Sequence, residues 1–140
     1  MSASARGTAP MTPAAEEDRL DQLRWGATSD DARRAAVDLL IATGLVRDEH
    51  PWVLQDADSG TWRIDFDRAT EAVDALTVEH EKWGLTPSLL SVLEVAASLA
   101  DGLTVHLRHV LPELDDEHTS LVMAAIAEAA GHPHAEPPQA

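Results

Sequence analysis

Three histidines and four carboxylates crowd into residues 106–118, HLRHVLPELDDEH. Imidazole beside carboxylate is a donor set that suits zinc, iron or manganese. His106 and His109 stand three apart, a spacing that shares one helix face, and Glu113, Asp116 and His118 extend the set. Three features oppose a metal centre. Pro112 disfavours the right-handed helical conformation at Leu111, so His118 is expected on a different element. The pair lacks the glutamate of an HExxH helix. With 25 acids in 140 residues, a carboxylate near a histidine is also expected by chance. The stretch therefore reads as the solvated join between two helices. No cofactor is expected, and His106, His109 and His118 are the ligands to examine if a metal binds.

A second motif, DADSG at 56–60, resembles the opening of a calcium loop, with Asp67 at the twelfth position. Position five is Gly60, which offers no side-chain oxygen, and position six is Thr61, where such loops need glycine. Strand-like flanks complete the case for a hairpin turn. Nucleophile elbows, dinucleotide fingerprints and phosphate loops are all missing from the sequence, so an enzyme is not expected. His80, on an apolar helical face, reads as a core histidine. His132 and His134 flank a proline near the end of the chain and read as solvent-exposed.

The elements that must position these residues are mostly helical. A disordered tail is expected over 1–12, a single helical domain over 13–131, and a Pro/His tail over 132–140. Thr12-Pro13 supplies a cap and first helical position for a helix ending at Gly26. A second helix follows Thr28 or Ser29, carries Ala32, Ala36, Val37, Leu40 and Ile41 on one face, and stops at Gly44. Trp62, Ile64 and Phe66 alternate with Arg63 and Asp65, as in a strand. A β-hairpin is expected from 52–55 and 61–66, within a span of about 52–66. Asp67 is then the expected cap of a third helix, which the polar stretch 77–82 threatens to break early. Thr86-Pro87 repeats the capping grammar before SLLSVLEVAASLAD, whose only polar stripe is Ser91, Glu94, Ser98 and Asp101. The last helix starts at Asp115 or Asp116. The fold class is thus a bundle of about five helices with one short hairpin and a tri-helical, helix-turn-helix-like C-terminal half.

That outline does not read as a DNA-binding motif. A recognition helix sets its N-terminal residues against the major groove, and here they are Asp115, Asp116 and Glu117. The chain carries −15, and unevenly. Residues 1–47 hold seven acids and six arginines, whereas residues 48–140 hold eighteen acids and four bases. Such a surface repels phosphate and forgoes the counterion release that drives nucleic-acid binding. Tyrosine is absent and phenylalanine occurs once, so no stacking platform is expected from the four tryptophans. Trp52 and Trp62 are expected to seal the hairpin. Trp25 and Trp83 each precede a glycine that ends a helix. The chain has no cysteine, no apolar leader segment and no apolar run near the ~20 residues of a membrane span, which suits a reducing cytoplasm.

The stretches W62-R-I-D-F-D67, L93-E-V-A-A-S-L-A-D-G102 and L114-D-D-E-H-T-S-L-V-M-A-A-I-A-E-A-A-G131 resemble small uncharacterised acidic proteins of high-GC bacterial genomes and mobile elements. That resemblance carries no assigned chemistry. It implies an accessory or regulatory role.

The leading expectation is a non-catalytic regulatory protein that docks a basic protein surface through Asp115, Asp116 and Glu117, with no direct nucleic-acid or membrane binding. Homodimerisation through the apolar helices 89–100 and 121–130 is a further expectation. The alternatives are a DNA-mimicking inhibitor of a nucleic-acid-binding protein, a His/carboxylate metal-binding protein and a pH responder built on the seven histidines.

Overall fold

The computed structural model describes residues 13–26, 30–47, 49–74 and 83–131. The expected tails, Thr12, Thr28, Ser29 and His80 lie outside those residues. Among the described residues the chain forms α1 (Pro13–Trp25), α2 (Asp31–Ala42), β1 (Val53–Gln55), β2 (Trp62–Ile64), α3 (Phe66–Val73), α4 (Pro87–Asp101), α5 (Leu107–Val110) and α6 (Asp116–Ala129), with a 3-10 turn at Leu111–Glu113. The fold is mostly helical with one short antiparallel hairpin, as the sequence predicts.

Helix starts follow local polar chemistry. Thr86 accepts the Leu89 amide at 3.1 Å and Pro87 opens α4, as expected. Asp115 caps α6, also as expected, whereas two other starts differ from expectation. Asp30, rather than Thr28 or Ser29, caps α2 by accepting the Ala32 and Arg33 amides. Asp65, rather than Asp67, caps α3 through the Asp67 and Arg68 amides. The physical reason is backbone conformation. A cap must be extended while its carbonyl already faces the helix, and Asp65 is extended at φ −102°, ψ 102°, whereas Asp67 lies inside the first turn. Phe66 consequently leaves the strand alternation and opens α3.

The hairpin pairs Val53 with Ile64, Leu54 with Arg63 and Gln55 with Trp62. Asp56 closes its turn by accepting the Asp58 and Ser59 amides, and Gly60 adopts φ +74°, which a side chain would strain. These amide bonds hold the Asp56 carboxyl below its ordinary pKa. The motif is a turn built around its own carboxylate.

Helices α2 and α4 form the centre. α2 packs on α4 and α6, and α3 packs on α4. Ala35, Ala36, Val37, Leu39 and Leu40 of α2 are buried, as are Val92, Leu93, Val95, Ala96 and Ala97 of α4. Ser91, expected on an outward stripe, is only 3% exposed, because neighbours cover α4 on that side too. Six of the twelve residues 89–100 are buried within the chain itself.

Ion pairs define the directions of the helices. Arg33, in the first turn of α2, donates to the Ala100 carbonyl at 3.3 Å and pairs with Asp101 at the end of α4. Its neighbour Arg34 reaches Glu128 at the end of α6 at 3.3 Å. The positive start of α2 thus meets the negative ends of two helices, a favourable dipole arrangement. α2 runs antiparallel to both, so α4 and α6 run in the same direction. The chain between them must therefore return along the length of α4, about 22 Å for 15 residues.

The capping assignment is tested by two substitutions in urea denaturation. Asp65→Ala is expected to lower stability by about 1 kcal/mol, and Asp67→Ala by only a few tenths.

Candidate functional site: the return segment ahead of α6

Residues 102–115 carry the chain back from the end of α4 to its beginning. Gly102 at φ +70° ends α4, and an irregular run leads to the single turn α5. Val110 anchors this segment in the core, while Leu107 and Leu111 stay exposed. Leu111 is helical at φ −61°, ψ −41°, contrary to the restriction expected from Pro112. The chain tightens into a 3-10 turn there and then breaks at the extended Leu114. The expected interruption is real, but it falls three residues later.

This geometry separates the three histidines. His106 and His109 are exposed and meet edge to face, with ring centroids 6.0 Å apart. His118 lies on α6 and turns elsewhere. Its Nδ1 sits 2.6 Å from the Ser88 hydroxyl and 3.3 Å from an Asp115 carboxylate oxygen. Among the described residues, no group of three or more His, Cys, Asp or Glu side chains is gathered as a metal ion would need. The two exposed histidines instead bear on Glu94. Its carboxyl is raised above the ordinary value by burial and by Asp74, and the histidines oppose that rise.

Ser88, His118 and Asp115 are the three residue types of a hydrolytic triad, but their arrangement is a different one. A catalytic serine and aspartate bind opposite nitrogens of the imidazole. Here both approach Nδ1, and the buried Ser88 oxygen also accepts the Asp115 amide at 3.0 Å. Asp115 in turn caps α6 through the His118 amide at 2.8 Å. These bonds fasten the starts of α4 and α6 together. Of the three acids predicted to bind a partner, Asp115 is therefore occupied by the fold. Asp116 and Glu117 are exposed in the first turn of α6.

Two features escape sequence reading. His50 is only 3% exposed, stacks on Trp52 with centroids 4.6 Å apart, and accepts the Arg47 amide at Nδ1. Burial lowers its pKa below the usual imidazole value, against a smaller opposing effect of Glu49. Trp52 donates to the Leu45 carbonyl at 2.7 Å and meets Trp83 edge-on, which ties the hairpin to the end of α2. The second feature is a groove in which Trp25 and Trp62, 37 positions apart in sequence, line one surface. Helical periodicity places Trp25 and strand alternation places Trp62, but neither pattern brings the two together.

No protein-family model, curated protein or solved structure matches the chain.

Ser88→Ala leaves the Asp115 amide without its partner and is expected to cost about 1–3 kcal/mol in urea denaturation. For His50, the folded state favours the neutral ring, so its contribution is complete above pH 6.5 and is lost as pH falls through its lowered value. The stability advantage of wild type over His50→Gln is expected to shrink between pH 7.5 and 5.5. Equal margins at the two pH values would remove that role.

Proposed function

We propose that the protein is a non-catalytic interaction protein whose C-terminal helical unit docks a basic partner surface. The observation that carries this reading is the outer face of α6. Met123 is 66% exposed and Ile126 is exposed beside it. Asp116 stands seven residues, or two turns, before Met123 and so projects from the same face. Ser120, Ala127 and Ala130 complete a stripe that carries no positive charge. An apolar centre with acids at one end is the pattern of a surface that buries an apolar patch and selects its partner by charge. Leu107 and Leu111 extend the exposed apolar area on the return segment. The partner's complement would be lysine or arginine around an apolar contact, in keeping with the surplus of fourteen negative charges over residues 48–140. Among the described residues no helix is long and apolar enough to cross a membrane.

Affinity capture from the lysate of the encoding organism tests this reading, with wild type beside Asp116→Lys/Glu117→Lys and Met123→Glu variants. A captured protein with a basic surface should be lost with both variants and weaken steeply as salt rises. Capture that is unchanged in both variants would remove the docking face. If duplex DNA competes for the same protein, the partner is a nucleic-acid-binding protein and the acidic surface acts as a mimic. Self-association through 121–130 is the other use of this face. Sedimentation of wild type against Met123→Glu distinguishes it by mass.

A further inference from the structure

The groove between α2 and α6 carries a chemistry that the outer face of α6 lacks. It encloses about 150 Å³, with Ala35 and Leu39 of α2 and Leu121 and Ala124 of α6 among its walls, and Asp38 and Glu128 bring carboxyl groups to it. We propose that this groove receives a lysine side chain of the basic partner, its four-carbon stem along the apolar walls and its ammonium between Asp38 and Glu128. This assignment rests on the basic-partner reading of α6 and names the pocket in which the partner's charge is read.

The groove lies where such a partner would reach it. Leu121, Ala124 and Glu128 stand at i, i+3 and i+7 on α6, each one position after Ser120, Met123 and Ala127 of the outer stripe. The groove stripe is therefore the outer stripe turned by about 100°, and one partner surface can cover both. Ala35 and Ala125 are buried beneath, while Ala124 is exposed at the opening. Small side chains on the two helices leave room that longer ones would fill. The walls belong to packed helices whose register Arg34 and Glu128 set at 3.3 Å, so the groove exists before anything enters it. A preformed site lowers the ordering cost of binding.

The ion pairs around the groove leave it negative. Arg34 is divided between Asp31 at 2.7 Å and Glu128 at 3.3 Å. Arg24 is divided between Asp21 at 3.4 Å and Asp38 at 3.7 Å. Four carboxylates thus share two guanidiniums, a surplus of two negative charges when all are ionised. The Glu128 side chain is only 18% exposed. Burial, and then the neighbouring Asp38, raise its carboxyl above the ordinary value despite Arg34, which is the mark of incomplete compensation. An incoming cation supplies the missing charge. Lysine suits the shape, because its compact ammonium ends a flexible apolar stem that can lie along alanine and leucine.

Nα-acetyl-lysine methylamide is the probe, followed through the Ala35 and Ala124 methyl resonances at constant ionic strength. The norleucine derivative presents the same stem without the charge, and methylammonium presents the charge without the stem. The lysine derivative is expected to shift both methyls saturably at roughly tens of millimolar. The other two are each expected to bind about 10-fold more weakly or worse, as loss of the ion pair or of stem burial implies. Ala124→Leu fills the groove from an exposed position without altering a charge, and should abolish saturation at Ala35. Asp38→Asn/Glu128→Gln should weaken the lysine derivative about 10-fold and leave the norleucine derivative unchanged, with the same spectra reporting the folding of each variant. Three results would overturn the proposal: no saturable shift, equal binding of methylammonium and the lysine derivative, or full binding to Ala124→Leu. Met123→Glu alters only the outer stripe and is expected to leave the lysine titration unchanged, so the groove and the docking face fail separately. The partner captured by wild type should be lost with Ala124→Leu, and its retention there would overturn the part of the groove in docking.

Discussion

The close packing of α2 on α4 is the constraint on which the remaining elements depend. Both helices bury alanines, Ala35 and Ala36 on one and Ala96 and Ala97 on the other. Small side chains let helix axes approach, and larger residues along the same faces then interlock around them. The electrostatics at the end of the pair reinforce its direction. Arg33 satisfies a carbonyl of the last α4 turn and pairs with Asp101, and its guanidinium also lies 5.6 Å from the centre of the Phe66 ring. One side chain thus joins α2, α4 and the start of α3. A bulky residue at Ala36 or Ala96 would separate the axes and loosen all three contacts together.

The hairpin is too short to stand alone and borrows its stability from the helices. Trp52 carries that attachment, with an indole hydrogen-bonded to Leu45, a stacked histidine on one side and Trp83 at its edge. On the far side of the sheet, α1 meets β2 through Gln22 and Arg19. Arg19 is an unusual residue to bury, and its Nε has no hydrogen-bond acceptor among the described residues. The indole beneath it offers an electrostatic partner of another kind, since the ring face attracts a cation. A second carboxylate pairing lies between α2 and α6. There Glu128 is raised in pKa by burial and then by Asp38, with Arg34 opposing.

Helix identity was legible wherever one residue type carries one geometric meaning. Thr86-Pro87, Gly44 and Gly102 punctuate the chain where their backbone chemistry requires it. Aspartate is less decisive, because Asp30, Asp65, Asp67, Asp115 and Asp116 all suit a helix start. Which of them caps is decided by the extended backbone that tertiary packing imposes, and spacing does not encode that. Ser91 fails for a related reason: a polar stripe marks the outside only when one side of the helix is open. A break between His109 and His118 was expected from Pro112, although the chain stays helical at Leu111 and turns extended only at Leu114; the use of His118 in binding Ser88 was not legible. That contact spans 30 positions and follows from α4 and α6 lying side by side. The Trp25–Trp62 groove is likewise a product of tertiary contact, since residues on a helix and a strand share no common period.

The order in which the chain emerges during synthesis has a consequence for α2. Its two first-turn arginines find partners 68 and 94 residues downstream, on Asp101 and Glu128. A nascent chain holding only the first half would leave the surface of α2 that packs on α4 and α6 uncovered. The starts of α4 and α6, by contrast, close onto each other across only 27 positions through Ser88. The second half can therefore form a template to which α2 returns. The two ion pairs of the first α2 turn thus form only once most of the chain has been made.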